Sequence, residues 1–543
     1  MPAPLRLQGI SASAGYAEGP VFDLERITAA YVSKATASEE KKALETAIGI
    51  ATSRLATLIE TSKGDAADIL EFQIAMLEDD ALSHPGFAAI ASGLPADAAW
   101  RQALDAEIAG YETSDQDYFR ARAADIRDIR DQVLRALTED GEVQTPTGAI
   151  LYGEDIAPTR FLETDWSKGG GIALRAGSTA SHVAMLARSR GVPMVVGLGV
   201  AGLGVVGLGN SPADLAGTAL LDAEHGGIVL SPSKAEIDAF RQSSSSFSAR
   251  RDLARIFLTR PAVTRTGTAV RVQVNIADPS DVDGIDIATC DGVGLMRTEF
   301  LFGKTLPDEE TQYRAYRKVL EWAGEKPVTI RTVDAGGDKP VPGFTVEESN
   351  PFLGLRGIRL SLARPDVFRV QIRALLRAAT HGSLKVMFPM IAIVEEYRQA
   401  VAMFAEEQAA LAARGIPLKM PPLGIMVEVP SVAIMPEAFA EVAFFSIGSN
   451  DLTQYVMAAA RDNIAVAHLN SVRHPAVLRL VAAVTAFGHR ENIPVSLCGD
   501  AGGDPASIPS LLEAGLRDLS VAPAQLAMAK AAIADVSIQA GPA

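Results

Sequence analysis

Residues 423–451 read LGIMVEVPSVAIMPEAFAEVAFFSIGSND. An apolar run ends on Glu428, a short helix-like connection follows, and a second apolar run ends at Asp451. The runs are the length of buried strands and too short for helices. Six more runs of the same kind flank this pair: VRVQVNI (270–276), GVGLMRTEF (292–300), PVTIRTVD (327–334), LKVMFPMI (384–391), VSLCGD (495–500) and LRDLSVAP (516–523). Helix-like segments separate them. Eight strand-and-helix units in succession predict a (β/α)8 barrel of the TIM type over 261–543. Asn275, Arg297, Asp334, Glu428, Asp451 and Cys498 stand at or just past the C-terminal end of a run. Polar residues end most strands, but arginines and acids gathering from several strands point to a catalytic mouth.

The 543 residues exceed a single ordinary core, and a hydrophobic share of 48% with a charged share of 21% excludes wholesale disorder. A net charge of -16 argues against a general nucleic-acid or anionic-membrane binder. Two cysteines, Cys290 and Cys498, form neither a disulfide framework nor a four-thiolate zinc site. MPAPLRL at the start has no apolar core of signal-peptide length, so a cytoplasmic location is expected. The uncharged stretch 191–213, GVPMVVGLGVAGLGVVGLGNSPA, is long enough for a membrane helix but is rich in Gly and Val and holds Pro193 and Pro212. It reads as short buried strands joined by turns. Its G-x-G-x-x-G match (Gly197, Gly199, Gly202) lacks the helix that a dinucleotide fingerprint needs directly afterwards.

The N-terminal half divides by texture. Residues 1–24 and 147–232 are glycine-rich with short apolar alternations and predict one β/α domain. Between them, residues 25–146 carry long segments with apolar residues at helical spacing, such as EEKKALETAIGIATSRLATLIETS, and predict an inserted helical bundle. Residues 233–260 are polar with a serine run and predict a connector helix.

At the mouth, Arg297, Arg331, Arg356, Arg461 and Lys339 are cations suited to a phosphate or carboxylate. Glu428 and Asp451 are two oxygen ligands on neighbouring strands, few enough to leave room on Mg2+ or Mn2+ for water and substrate. Cys498 follows a strand and precedes GDAGGD, so its thiol is expected to be exposed to the pocket as proton donor or nucleophile. Cys290 has no such company and reads as structural. In AGSTASHVAMLAR (176–188), small residues precede His182 at a helix start, where backbone N–H groups suit an incoming phosphoryl group. His84, His225, His381, His468, His474 and His489 share no motif.

These segments resemble Enzyme I of the bacterial phosphotransferase system, the phosphoenolpyruvate–protein phosphotransferases. The resemblance runs over nearly the whole chain: GISASAGYAEGPVF, DILEFQIAMLEDDAL, DYFRARAADIRDI, the His182 segment, GLMRTEFLF, RTVDAGGDK, NPFLGLRGIR, MFPM, GIMVEVP, FFSIGSNDLTQY and SLCGDAGGD. It implies a β/α phosphohistidine domain, a helical domain that docks a small histidine phosphocarrier (HPr-like), and a barrel that binds phosphoenolpyruvate and forms a homodimer. It implies His182 as phosphoacceptor and Arg297, Arg331, Lys339, Arg356, Asn450 and Arg461 as holders of phosphoenolpyruvate. Glu428 and Asp451 would hold Mg2+, and Cys498 would protonate the enolate. His182 lies outside the barrel, so a swing into the mouth is expected.

The chain departs from the family pattern at Ser178 and Ala180, and at Gln73 where many relatives have histidine. Glu71, Gln73, Glu78, Asp79 and Asp80 are accordingly either part of a docking face or a solvated helix face. No extra N-terminal sensor or fused carrier domain is seen in the sequence, which disfavours the nitrogen-related and multiphosphoryl variants. Two other classes compete. A pyruvate phosphate dikinase or phosphoenolpyruvate synthase needs a large ATP-binding domain, and no P-loop stands out. A non-catalytic relative would not need His182, the arginines, the carboxylates and Cys498 together.

Overall fold

The structure is a computed structural model that describes residues 4–24, 31–61, 65–112, 117–138, 145–177, 181–198, 217–302, 306–337, 341, 343–346, 348–460 and 466–538. It divides into two compact units, Met1–Phe247 and Ser248–Ala543.

The N-terminal unit is built on an eight-stranded sheet: β1 (Leu5–Gln8), β2 (Ile10–Ser13), β3 (Tyr16–Asp23), β4 (Ile150–Gly153), β5 (Gly171–Leu174), β6 (Met194–Val196), β7 (Thr218–Asp222) and β8 (Gly227–Leu230). Their spatial order is β1-β8-β7-β3-β4-β5-β6-β2. The central β3, β4, β5 and β6 run parallel, and the flanking pairs are antiparallel. β4 and β5 are buried at every position, which explains their continuous apolar character. Of the uncharged stretch, β6 and the buried Leu198 are seen; residues 199–213, with Gly199 and Gly202, lie outside the described residues. Among the described residues, no helix is long and apolar enough to cross a membrane.

Five helices stand between β3 and β4: α1 (Ala37–Thr61), α2 (Asp65–Leu77), α3 (Asp80–Ala91), α4 (Ala96–Glu112) and α5 (Asp117–Leu137). Leu44, Ala47, Ala51 and Leu55 recur along one face of α1 and pack with Leu70, Trp100, Leu104, Ile129 and Val133 in a single core. Three further helices follow: α6 (Pro158–Glu163), α7 (His182–Arg190) and α8 (Lys234–Ala254). The connector α8 is more firmly held than its polarity suggests. Tyr16 packs against Phe240 and Phe247 at ring distances of 5.3 and 5.4 Å, and Arg241 pairs with Glu18 at 2.6 Å.

Gln73 belongs to neither of the faces proposed for it. It is fully buried, and its side-chain N–H donates to Asp128 Oδ2 at 3.0 Å. Asp128 also accepts from Gln132 at 3.0 Å and from the Thr159 hydroxyl at 2.7 Å. A buried carboxylate thus joins α2, α5 and α6. Helix periodicity puts Gln73 on the buried face of Leu70 and Leu77. Glu71, Glu78 and Asp79 are exposed.

In the C-terminal unit all eight runs form strands. After the short β9 (Ala262–Val263) come β10 (Ala269–Ile276), β11 (Val293–Met296), β12 (Pro327–Arg331), β13 (Ser383–Phe388), β14 (Leu423–Val427), β15 (Phe445–Gly448), β16 (Val495–Cys498) and β17 (Asp518–Val521). Strands β10 to β17 pair in parallel in chain order, and β10 pairs with both β11 and β17, so the barrel closes. Val270, Val272, Val274 and Ile276 alternate into the core between strands and helices. Leu295, Met387, Met426, Phe444 and Cys498 form a separate buried cluster from strands that are not all neighbours, as lumen-facing side chains do. The lumen is tightly filled: a Cβ on Gly424 would lie 2.6 Å from the Phe444 ring.

Asp128→Ala should destabilise the N-terminal unit by about 3 kcal/mol or more, because buried donors on Gln73, Gln132 and Thr159 lose their acceptor. Denaturant unfolding followed by Trp100 fluorescence checks this. A loss under about 1 kcal/mol would show that the carboxylate does not tie the helices together.

Candidate active site

The C-terminal ends of β11, β12, β14 and β15 hold a buried network of charge. Arg331, the last residue of β12, donates to Glu299 at 3.1 Å and to Asp334 at 2.9 Å. Arg356 clamps Asp334 through two bonds of 3.0 Å and reaches Asp451 at 3.2 and 3.1 Å. Its Nη1 also donates to the Tyr455 hydroxyl at 3.2 Å, and that hydroxyl donates to the Phe352 carbonyl at 2.6 Å. Asp334, Arg356 and Glu428 are 1%, 2% and 1% exposed, so this is an interior chain of ions rather than a surface cluster. Burial by itself would lower the pKa of either arginine. The carboxylates outweigh it and keep both guanidinium groups charged: Glu299 and Asp334 for Arg331, and Asp334 and Asp451 for Arg356.

The geometry corrects one expectation. Arg331 and Arg356 are not bare cations waiting for an anion; protein carboxylates already neutralise them. Among the described residues the Nε of Arg331 nevertheless has no hydrogen-bond partner though buried, and neither has the Ser449 hydroxyl. Arg297, just past β11, is half-buried and makes no ion pair with a described residue. Asn450 donates to Asp500 at 3.1 Å and accepts from the Asp500 backbone at 3.2 Å, which ties the helix Ser449–Met457 to the turn after β16. Lys339 and Arg461 lie outside the described residues.

Glu428 accepts from the Met390 N–H at 2.6 Å. Burial, then the nearby carboxylates of Asp451 and Asp334, push its pKa up to about 8. Four carboxylates (Glu299, Asp334, Glu428 and Asp451) face two buried guanidinium groups here, and that excess of negative charge suits a divalent cation. Among the described residues no group of three or more His, Cys, Asp or Glu side chains forms a metal cage. Glu428 and Asp451 stand just past the ends of the neighbouring parallel strands β14 and β15, and two carboxylates so placed could hold a divalent cation through oxygen.

Cys498 corrects a second expectation. It is not exposed to the pocket: it is 3% exposed, within the lumen cluster. Burial pushes its thiol up to about 11, although the Ser446 hydroxyl, which donates to Sγ at 3.1 Å, works the other way. A thiol in that state carries its proton at neutral pH, which suits a donor and not a nucleophile. Cys290 is buried, and its Sγ lies 3.8 Å from the Ile287 carbonyl, as a structural residue would.

His182 is the first residue of α7 in the N-terminal unit. The Ser181 side chain caps the helix by accepting from the Ala184 N–H at 3.2 Å. Val183, Ala184 and Ala187 are buried, and Arg188 donates to the Ala12 carbonyl at 2.8 Å. Gly177, with φ of 86°, turns the chain ahead of it. Ser178, Thr179 and Ala180 lie outside the described residues. Sequence reasoning missed Glu299, Ser446 and Tyr455. Glu299 sits two residues past Arg297, and Ser446 alternates with Gly448 towards the lumen, so both carried a positional signal.

The buried thiols yield a direct test. Neither cysteine should react appreciably with iodoacetamide at pH 8 in the folded protein, and both should react after unfolding in urea. Fast native alkylation of Cys498, read by peptide mass spectrometry, would contradict its place in the lumen.

Comparison with known proteins identifies the family. Residues 251–538 match the family described as PEP-utilising enzyme, PEP-binding domain; residues 8–122 match its N-terminal domain and residues 145–207 its mobile domain. A phosphoenolpyruvate-protein phosphotransferase of Bacillus sp. (strain S) is 36% identical over 97% of this chain and 92% of its own length. The protein of the same name from Geobacillus stearothermophilus gives the same figures. That of Bacillus subtilis (strain 168) is 35% identical over 98% of this chain and 95% of its own. The chain belongs to the phosphoenolpyruvate-protein phosphotransferase family.

Proposed function

We propose that the chain takes the phosphoryl group of phosphoenolpyruvate onto its own His182, releases pyruvate, and passes the phosphoryl group to a histidine of a small phosphocarrier (HPr-like). This is the first step of a bacterial phosphotransferase system, carried out in the cytoplasm. The observation that carries the reading is the buried ion network at the barrel mouth, with a buried thiol in the lumen and a candidate phosphoacceptor histidine on the other unit.

The chemistry divides among the residues as follows. Arg297 and the unpartnered Nε of Arg331 bind anionic oxygens of phosphoenolpyruvate, with Lys339, Asn450 and Arg461 completing the set. All the N–H groups of Arg356 nearest its partners are engaged, so its contact with substrate requires Asp334 or Asp451 to give way. Glu428 and Asp451 would hold Mg2+ (or Mn2+), and the ion would supply positive charge that favours phosphoryl transfer. The His182 imidazole attacks phosphorus, the bridging P–O bond breaks, and the enolate of pyruvate leaves. The Cys498 S–H then delivers its proton to the methylene carbon. His182 belongs to one unit and these residues to the other, so the two must meet in each turnover.

The helices α1–α5 are assigned to carrier docking, with exposed Glu71, Glu78 and Asp79 as contacts for a basic partner; Gln73, being buried, is not one. A homodimer through the barrel is supported by exposed apolar side chains on the loops past four strands: Val346 and Leu353, Ile393, Ile434 and Met435, and Leu469.

Incubation with 32P-phosphoenolpyruvate and Mg2+ should label His182 with an acid-labile, alkali-stable phosphoramidate, and 32P-ATP should not. Labelling should disappear with a chelator and in His182→Ala. Undiminished labelling of that variant would remove His182 from the reaction.

Sedimentation at micromolar concentration with Mg2+ and phosphoenolpyruvate should give a mass near twice the 57.1 kDa chain. A fully active monomer would contradict the dimer.

A further inference from the structure

The Cys498 sulfur sits among Leu295, Met387, Met426 and Phe444, which offer it no N–H or O–H. The hydroxyl of Ser446 is the exception, at 3.1 Å from Sγ. Ser446 is 1% exposed and lies on β15, two residues before Gly448, which pairs with Cys498 in the β15–β16 register. The two side chains therefore face the lumen diagonally across adjacent parallel strands. A serine that only filled space here could donate to a backbone carbonyl on its own or a neighbouring strand, as Ser496 does towards Phe445. Ser446 instead donates to a neutral sulfur, one of the weakest acceptors in proteins. Such a bond gains strength only when the sulfur becomes negative, and that happens in the proton-transfer step.

We propose that Ser446 is a positioning residue for proton transfer: by donating to Cys498 Sγ it leaves the S–H free to turn towards the mouth and stabilises the thiolate left behind. The proposal rests on the reading of Cys498 as proton donor. In the step, the S–H bond breaks and a C–H bond forms at the methylene carbon of the enolate. The enolate oxygen returns its electrons to make the ketone of pyruvate. The sulfur keeps the S–H pair as thiolate until water reprotonates it. No other reactant is needed.

The test is a double-mutant cycle in the full chain with Ser446→Ala, Cys498→Ala and both together, measured as the initial rate of 14C-pyruvate exchange into phosphoenolpyruvate with Mg2+, which needs no phosphoryl acceptor beyond the chain itself. Ser446→Ala should lower turnover about 10- to 100-fold, the loss of a charge-assisted hydrogen bond, and leave the KM for phosphoenolpyruvate within about twofold. It should also move the basic limb of the pH–rate profile upward, because a thiol without its donor ionises at higher pH. In the Cys498→Ala background it should add nothing. Ser446→Thr, which keeps the hydroxyl, should restore most of the rate and the original limb. Normal turnover in Ser446→Ala overturns the proposal. So does an equal loss in the Cys498→Ala background, or an equal loss in Ala and Thr variants without a shifted limb, which marks a packing role. Normal turnover in Cys498→Ala alone overturns the donor reading itself and is told apart by that single variant.

Discussion

The structure of the barrel mouth depends on the ion chain Glu299–Arg331–Asp334–Arg356–Asp451. Burying any one of these charges alone would be costly, and removing one partner from such a pair typically costs about 3–5 kcal/mol. Together they form an alternating series in which each guanidinium bridges two carboxylates. The series crosses the barrel from β11 to β15, so the strand ends that carry it are fixed relative to one another. A site held this way needs little reorganisation when a trianionic substrate arrives, and that is the condition under which electrostatic stabilisation of a transition state is largest.

Next to the ion chain the lumen changes character. Apolar side chains surround the Cys498 sulfur, burial keeps its proton on, and Arg331 lies close enough for its charge to oppose part of that effect. Two neighbouring environments thus set two different proton affinities. The carboxylate of Glu428 is poised to ionise when a cation arrives, and the thiol holds its proton until a strong carbon base is formed beside it. Each group's surroundings, carboxylates around Glu428 and apolar side chains around Cys498, set its proton affinity.

The barrel was legible in the sequence because its strands are buried on both faces and read as apolar runs cut off by polar residues. Every one of the eight runs is a strand. The inserted helices were legible from α1, whose Leu44, Ala47, Ala51 and Leu55 keep helical spacing. What the sequence did not disclose are pairings between residues far apart in the chain. Arg356 and Asp451 are 95 positions apart, Gln73 and Asp128 are 55, and Ser446 and Cys498 are 52. Arg331 and Arg356 were readable as cations but not as cations already matched. Gln73 looked like surface because its residue type is polar, and only the helix face on which it stands reveals it as core. The exposure expected for Cys498 failed for a similar reason: the end of a barrel strand can face the solvent-filled mouth or the packed lumen, and its neighbours in sequence do not say which.

The central claim is that this mouth breaks the P–O bond of phosphoenolpyruvate reversibly with His182 as acceptor, with no other protein required. Exchange of 14C-pyruvate into phosphoenolpyruvate, with the purified chain and Mg2+ as sole additions, measures that claim. The account predicts exchange by the wild-type chain and none by His182→Ala. No exchange by a folded wild-type chain, or equal exchange by the histidine variant, would contradict it.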